Sequence, residues 1–227
     1  MSKKVVLAFS GGLDTSYCAK YLSETLAYEV HAVTINTGGF DKEDEVSLKE
    51  KAEKLGVASY RFVDASEKYY NDCVRYLIFG NVLKNNTYPL SVSAERTIQA
   101  QTIAEVALEI GADAIAHGST GAGNDQVRFD LMFQVMCPKI EIITPIRDLS
   151  LSREDEIQFL KNHNYEMDFD KAKYSINKGL WGTSVGGKET LTSRHHLPEE
   201  AFPSQIERTE PSQLEIEFKN GELISVC

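Results

Sequence analysis

Two short runs hold the residue types that do chemistry. The first is Ser10-Gly11-Gly12-Leu13-Asp14-Thr15-Ser16, set between an apolar stretch and a helical one. Paired glycines accept positive φ, so the backbone turns tightly and its N–H groups converge. A helix starting directly after them adds unpaired donors and a dipole that favours an anion. Ser10, Thr15 and Ser16 supply hydroxyls, and Asp14 either orients a magnesium ion or caps the helix. The chemistry this suits is phosphate binding, although an ordinary strand–Gly-Gly–helix turn has the same outline. The run is neither GxxxxGK[ST] nor GxGxxG, so it is not a Walker loop or a dinucleotide fingerprint.

The second run is His117-Gly118-Ser119-Thr120-Gly121-Ala122-Gly123-Asn124-Asp125-Gln126-Val127-Arg128-Phe129. A structural turn needs one glycine or two; three, interleaved with polar groups, let a backbone approach a ligand closely. Arg128 can hold a carboxylate bidentately. Asp125 can pair with a substrate ammonium, and Asn124 offers both donor and acceptor. No Ser–His–Asp order is evident, so the serines read as hydrogen-bond donors rather than nucleophiles. His117 reads as a satisfied structural histidine more readily than a general base, and His195 and His196 as surface groups. Cys18, Cys73, Cys137 and Cys227 show no metal-ligand or framework spacing and read as scattered thiols.

Positioning these runs requires alternating strands and helices. Residues 4–10, 28–35, 59–63, 112–117 and 140–143 read as short apolar strands. Between them, 13–26, 44–55, 66–80, 94–110 and 126–136 carry helical spacing, and 152–163 follows with Ser152 facing Asp155 in a capping-box pattern. The acidic run 41–45 reads as a solvated helix start, and Tyr69-Tyr70 as helix packing. Strands separated by helices predict a doubly wound parallel α/β sheet with ligands at the carboxyl ends of its strands. The loops after the first, second and fourth strands are where the site belongs. Residues 81–93 read as a loop facing it. From 165 to 211 the chain is polar and shows no sustained period; Trp181 there either lines a substrate's stem or staples a loop. A hairpin over 214–218 and 223–226, turned at Asn220-Gly221, closes the sequence. The expected division is a nucleotide-binding domain over 1–165 and the start of a smaller second α+β domain over 166–227.

Composition agrees. Of 227 residues, 42% are apolar, which excludes a disordered chain. The balance of 24 Lys+Arg against 34 Asp+Glu, a net charge of −10, argues against a nucleic-acid-coating protein. No apolar run approaches the length that spans a bilayer, so a soluble, cytoplasmic protein without a membrane partner is expected.

The run AFSGGLDTS at 8–16 resembles the phosphate loop of the ATP pyrophosphatase superfamily, whose members cleave ATP to AMP and pyrophosphate. His117–Phe129 closely resembles the HGxTGKGNDQVRFE signature of the argininosuccinate synthase family. Together the two are specific to that family. The loop 88–93 (YPLSVS), the segment 175–184 (SINKGLWGTS) and the strand LEIEF at 214–218 are similar to further family segments. Two places depart from the pattern: Ala122 stands where the family carries lysine, and 186–196 (GGKETLTSRHH) differs from the common form.

The resemblance implies an ATP-dependent ligase of arginine biosynthesis. The ureido oxygen of citrulline attacks the α-phosphate of ATP, with Mg²⁺, giving a citrullyl-adenylate and pyrophosphate; the aspartate amine then displaces AMP. It implies ATP contacts from Ala8, Phe9, Ser10, Gly11, Gly12, Leu13, Asp14, Thr15, Ser16, Ile35 and Gly118. Thr120, Asn124 and Asp125 would hold aspartate; Tyr88, Ser93, Asn124, Arg128, Ser175 and Ser184 would hold citrulline. Members of the family are longer, and the remaining part supplies a Glu and a Tyr for citrulline and a C-terminal arm used in a homotetramer. Two alternatives stay open: a nucleotide-binding chain without turnover, and another adenylating member of the superfamily such as an NAD or GMP synthetase or a tRNA thiolase. The GNDQVRF run weighs against the last group.

Overall fold

The computed structural model describes residues 2–121, 123–167 and 174–227, with Ser175 described by its backbone. The sheet is built around β1 (Lys4–Ala8), whose Val5, Val6 and Leu7 are completely buried. Successive strand side chains point to opposite faces. Val5 and Leu7 therefore enter one core, and Val6 the other. A strand buried on both faces reads as a continuous apolar run, as VVLA does here.

β2 (Glu29–Asn36), β3 (Ser59–Asp64), β4 (Ala114–Ala116) and β5 (Glu141–Ile143) complete a five-stranded sheet in the order β3-β2-β1-β4-β5. Each of the four pairings is parallel, as alternating strand and helix predicts. One face is covered by α1 (Leu13–Lys20), α2 (Lys42–Lys54) and α8 (Arg153–Asn162), which bring Leu13, Tyr17, Leu48, Ala52 and Leu160 into one cluster with Val5 and Leu7. The other face carries α3 (Ser66–Tyr69), α4 (Arg75–Phe79), α5 (Ser91–Ile110) and α6 (Asp125–Met136), with Tyr69, Ile98, Ile103, Phe129 and Phe133 on Val6 and Val33. A single turn, α7 (Pro145–Asp148), follows β5.

Local signals set many boundaries. Asp41 caps α2 and Ser152 caps α8, each in a reciprocal capping box. Gly111 ends α5 in the left-handed conformation at φ +66°. The helical run from Leu13 differs from its expected extent: α1 stops at Lys20 and continues as a π turn over Tyr21–Thr25. Within that turn the Ser23 hydroxyl donates to the Ala19 carbonyl, 2.9 Å away, competing with the regular ladder. A second π turn, Tyr70–Val74, joins α3 to α4. α5 begins at Ser91, three residues ahead of its apolar period, because Leu90 turns the chain at φ +57° and the Tyr88 hydroxyl accepts the Val92 N–H.

The polar stretch without a period holds a hairpin, β6 (Ser175–Gly179) with β7 (Gly182–Gly186). Its strands are too short and polar to show a pattern, and docking against the sheet domain supplies their order. The Leu180 N–H donates to the Thr37 carbonyl at 2.8 Å, and Trp181 Nε1 donates to the Pro89 carbonyl at 2.7 Å. Of the two expected roles for Trp181, the geometry is that of a staple. The last hairpin, β8 (Ile216–Lys219) and β9 (Glu222–Val226), turns through Asn220 and Gly221, both at positive φ, as a type I′ turn requires. No helix among the described residues is long and apolar enough to cross a membrane.

Candidate functional site

In the order 3-2-1-4-5 the chain reverses direction across the sheet between β1 and β4. Loops leaving these neighbours diverge, which opens a crevice at the carboxyl edge. A cleft of about 890 Å³ occupies that place. Its floor is the loop after β1, one wall the loop after β2 (Gly39, Phe40), another the loop after β4 (Gly118, Ser119, Thr120 and Gly123), and part of its cover the β6–β7 hairpin.

The floor is shaped by Gly11 and Gly12. Gly11 sits at φ +70°, and a Cβ there would come 2.4 Å from Leu48 Cδ2, so a side chain at that point would be strained and would push on Leu48. Gly12 opens α1 in extended conformation, with only the Ser10 hydroxyl near its missing Cβ. Ser10 Oγ and Thr15 Oγ1 lie 3.3 Å apart across the loop. Gly12 is the N-cap of α1 and makes no side-chain cap bond, so the helix start beside the cleft is of the kind that binds anions. Ala8, Phe9, Ser10, Gly12, Leu13, Asp14 and Thr15 line the cleft. Gly11 shapes the turn from behind, and Ser16 is fully buried with its side chain toward Tyr165 rather than the cleft. Ile35 and Gly118 line the cleft on either side. Gly118 also permits a close approach, since a Cβ would stand 3.1 Å from Asp14 Cβ and 3.2 Å from its carbonyl carbon.

His117 anchors the loop after β4. It is 1% exposed, stacked on Phe129 with centroids 5.4 Å apart. Its Nδ1 accepts the Ser119 N–H at 3.2 Å, so the proton sits on Nε2, which donates to Asp130 Oδ1 at 2.8 Å. Arg147 completes the chain through Asp130 Oδ2 at 2.6 Å. The His117 hydrogen bond, reinforced by that of Arg147, holds the Asp130 carboxyl below its usual range. This is a structural histidine, consistent with its burial.

Thr120 and Asp125 reach the cleft. Asp125 is held by two guanidinium groups, Arg128 at 2.7 Å and Arg96 Nε at 3.2 Å. Asn124 precedes α6 as its N-cap residue. Ala122, where the family lysine is replaced, lies outside the described residues. Tyr88 and Ser93 flank the start of α5, with the Tyr88 hydroxyl beside Ser93. Ser184 lies on β7 opposite Asn177, and Ser175 begins β6.

Sequence reasoning missed the polar face of α5. Glu95, Arg96 and Gln99 all line the cleft. Arg96 donates to Gln99 Oε1 at 2.8 Å and to the Asn177 side chain, tying α5 to β6. Glu95 is 6% exposed and accepts from Thr37 Oγ1 at 2.7 Å and Gln99 Nε2 at 3.0 Å. Burial raises its carboxyl pKa, against the pull of Arg96. Charged residues at 95 and 96 beside the buried Ala94 and Ile98 were the available signal. Arg153, Lys178 and Lys188 add cationic groups to the lining. No three metal-ligating side chains gather among the described residues, and Asp14 lines the cleft beside the glycine loop. The described residues form no protein cage for magnesium by themselves.

Residues 4–166 match the model of the arginosuccinate synthase N-terminal HUP domain. The chain belongs to that family. An argininosuccinate synthase from Methanocaldococcus jannaschii is 39% identical over 230 residues, covering 100% of this chain and 58% of the relative. One from Saccharolobus solfataricus is 38% identical over 219 residues, 96% of this chain and 56% of the relative. One from Dictyoglomus thermophilum is 38% identical over 221 residues, covering 96% and 55%. The chain thus spans a little over half the length of these relatives. The family's HUP domain is the α/β fold that the strand order displays.

Proposed function

We propose that this chain carries the nucleotide-activating half of an argininosuccinate synthase. In this reading ATP, as its magnesium complex, citrulline and aspartate meet in the cleft and yield argininosuccinate, AMP and pyrophosphate. The single observation that carries the reading is the Asp125 carboxylate, clamped by Arg96 and Arg128, facing the Ser10–Asp14 loop across one cleft. An ammonium seated on Asp125 is thereby held beside a bound polyphosphate.

A ureido group is both a weak nucleophile and a weak electrophile, so its carbon reacts only after the oxygen is converted to a leaving group. The chain's contribution is positioning and charge stabilisation. The N–H groups around Gly11, Gly12 and the start of α1 hold the phosphates, with Ser10 and Thr15 donating from their hydroxyls. Ile35 offers an apolar surface to the base and Gly118 lets the backbone pass close to the nucleotide. Thr120, Asn124 and Asp125 take the amino acid whose amine attacks. Tyr88, Ser93, Asn124, Arg128, Ser175 and Ser184 take citrulline, Asn124 serving both substrates. No general base is assigned, and His117 is committed to Asp130. Residues 1–165 form the nucleotide-binding unit in this scheme, and 166–227 begin a second domain whose first hairpin covers the cleft.

The test is AMP formation from ATP and Mg²⁺, with and without citrulline, then with aspartate added. Citrulline-dependent AMP, and argininosuccinate on adding aspartate, are expected. AMP that forms equally well without citrulline, or no binding of ATP at all, overturns the reading.

A further inference from the structure

The guanidinium of Arg96 meets a partner at each nitrogen. Nε donates to Asp125 Oδ2 at 3.2 Å, Nη1 to Gln99 Oε1 at 2.8 Å, and Nη2 to the Asn177 side chain. Beside Nη1 stands a second carboxylate, Glu95, with its Oε1 3.6 Å away. The substrate scheme gives Glu95 no task, yet it is buried and lines the cleft.

A carboxylate so far out of water persists only with donors and a cation beside it. Thr37 Oγ1 and Gln99 Nε2 supply the donors, both to Oε1, at 2.7 and 3.0 Å. Arg96 is the cation paired with it. Burial pushes the Glu95 pKa up, and Arg96 first, then Thr37 and Gln99, hold it down. Gly179 at the turn of the β6–β7 hairpin lies over the carboxyl group, since a Cβ there would stand 3.3 Å from Glu95 Cδ and Oε2.

The consequence reaches Asp125. Were Arg96 to swing into solvent, the Glu95 charge would be left buried and unpaired, and that motion is strongly penalised. The guanidinium therefore stays with Nη1 toward Glu95 and Gln99, and a planar fork fixed on that edge aims its Nε at Asp125. Arg128 donates to the other oxygen, Asp125 Oδ1, at 2.7 Å. Each oxygen of Asp125 keeps a lone pair for an ammonium, at a place set before the ligand arrives. We infer that Glu95 is a positioning residue for the amino-acid site, its buried charge holding Arg96 in the orientation that fixes the Asp125 carboxylate. This role rests on the reading in which Asp125 seats the attacking amine; Glu95 itself need touch no substrate.

The shape and the charge of Glu95 do separate work. Its oxygens accept from Thr37 and its bulk supports Gly179, which glutamine would do as well. Its charge holds Arg96, which glutamine would not.

The test uses the full chain as wild type, Glu95→Gln, Glu95→Ala, Arg96→Ala and Glu95→Ala/Arg96→Ala. Without ligand, ¹⁵N NMR of the arginine side chains follows the clamp itself. The Arg96 Nε–H, assigned by its loss in R96A, should exchange slowly with solvent in wild type and about tenfold faster in E95Q and E95A. Trp181 emission should be unchanged in E95Q, showing the hairpin still seated. Aspartate affinity, measured by calorimetry on protein saturated with a non-hydrolysable ATP analogue, should fall about tenfold in E95Q and in E95A, the scale of one hydrogen bond to a charged group. In the R96A background E95A should cost no further affinity, because the group that Glu95 positions is gone. Wild-type exchange and affinity in E95Q, or an E95A loss that is the same with and without Arg96, refutes the positioning role and leaves the aspartate site standing. The E95Q comparison holds whether or not R96A folds. A wild type that binds the ATP analogue but no aspartate overturns the reading of Asp125, and the role of Glu95 with it.

Discussion

The hairpin that covers the cleft can be displaced by one methyl group. Gly39 lies under the Lys178 carbonyl, and a Cβ added there would stand 1.9 Å from the oxygen and 2.8 Å from the carbon. Both are backbone atoms, so no rotamer change relieves the clash. Ordinary contact begins near 3.4 Å, so the β6 backbone must withdraw by about 1.5 Å. A shift of that size breaks the bonds that seat the hairpin: Leu180 to Thr37, Trp181 to Pro89 and Arg96 to Asn177. At about 1 kcal/mol net for each, Gly39→Ala costs docking about 3 kcal/mol, a shift of roughly two orders of magnitude in the docked fraction. Trp181 is the only tryptophan, so its fluorescence reports on the hairpin alone. The variant should show red-shifted emission and stronger iodide quenching, with the far-UV circular dichroism of the sheet domain unchanged. Gly56→Ala is the control: it sits at φ +79° with no atom within 4 Å of the added carbon. It should cost about 1 kcal/mol in urea unfolding and leave the emission alone. Wild-type emission and quenching in Gly39→Ala would refute the argument that the hairpin seats on the loop after β2.

Other outcomes follow from the same geometry. Arg96→Ala leaves Asp125 on Arg128 alone and frees Asn177; amino-acid substrate KM should rise about tenfold or more, while an unchanged KM would remove Arg96 from the site. His117→Ala opens a cavity beside Phe129 and strips two hydrogen bonds, so urea unfolding should show a loss of about 2–4 kcal/mol. Asp130 has a carboxyl held below its ordinary value of 3.8, so the stability it contributes is present above that value and lost as pH falls through the lowered one. The stability gap between wild type and Asp130→Asn should therefore be full at neutral pH and close in acid, measured by thermal melting across pH.

Much of the scaffold was legible in the residues themselves. VVLA at 5–8 is apolar without interruption because the strand is covered on both faces. Asp41 and Ser152 announce their helices, Gly111 ends one, and Asn220-Gly221 fixes a hairpin turn. The glycine loop after β1 and the His117 run were both recognisable, since each depends on neighbouring residues acting together. What only the tertiary structure decided are contacts between distant residues. Arg96 meets Asn177 across 81 positions, and Thr37 meets Glu95 across 58. The β6–β7 strands carry no pattern of their own because docking supplies their order. Ser16 faces the core although it belongs to the phosphate-loop run, because the first turn of α1 rotates it away from its neighbours Asp14 and Thr15. Glu156 looks like one more acidic residue in a helix start until α8 lies on α1 and its side chain is buried. Periodicity and turn chemistry act over a few residues and are written locally. Burial of a charge, and the partner that stabilises or opposes it, depend on which segments the sheet order brings together.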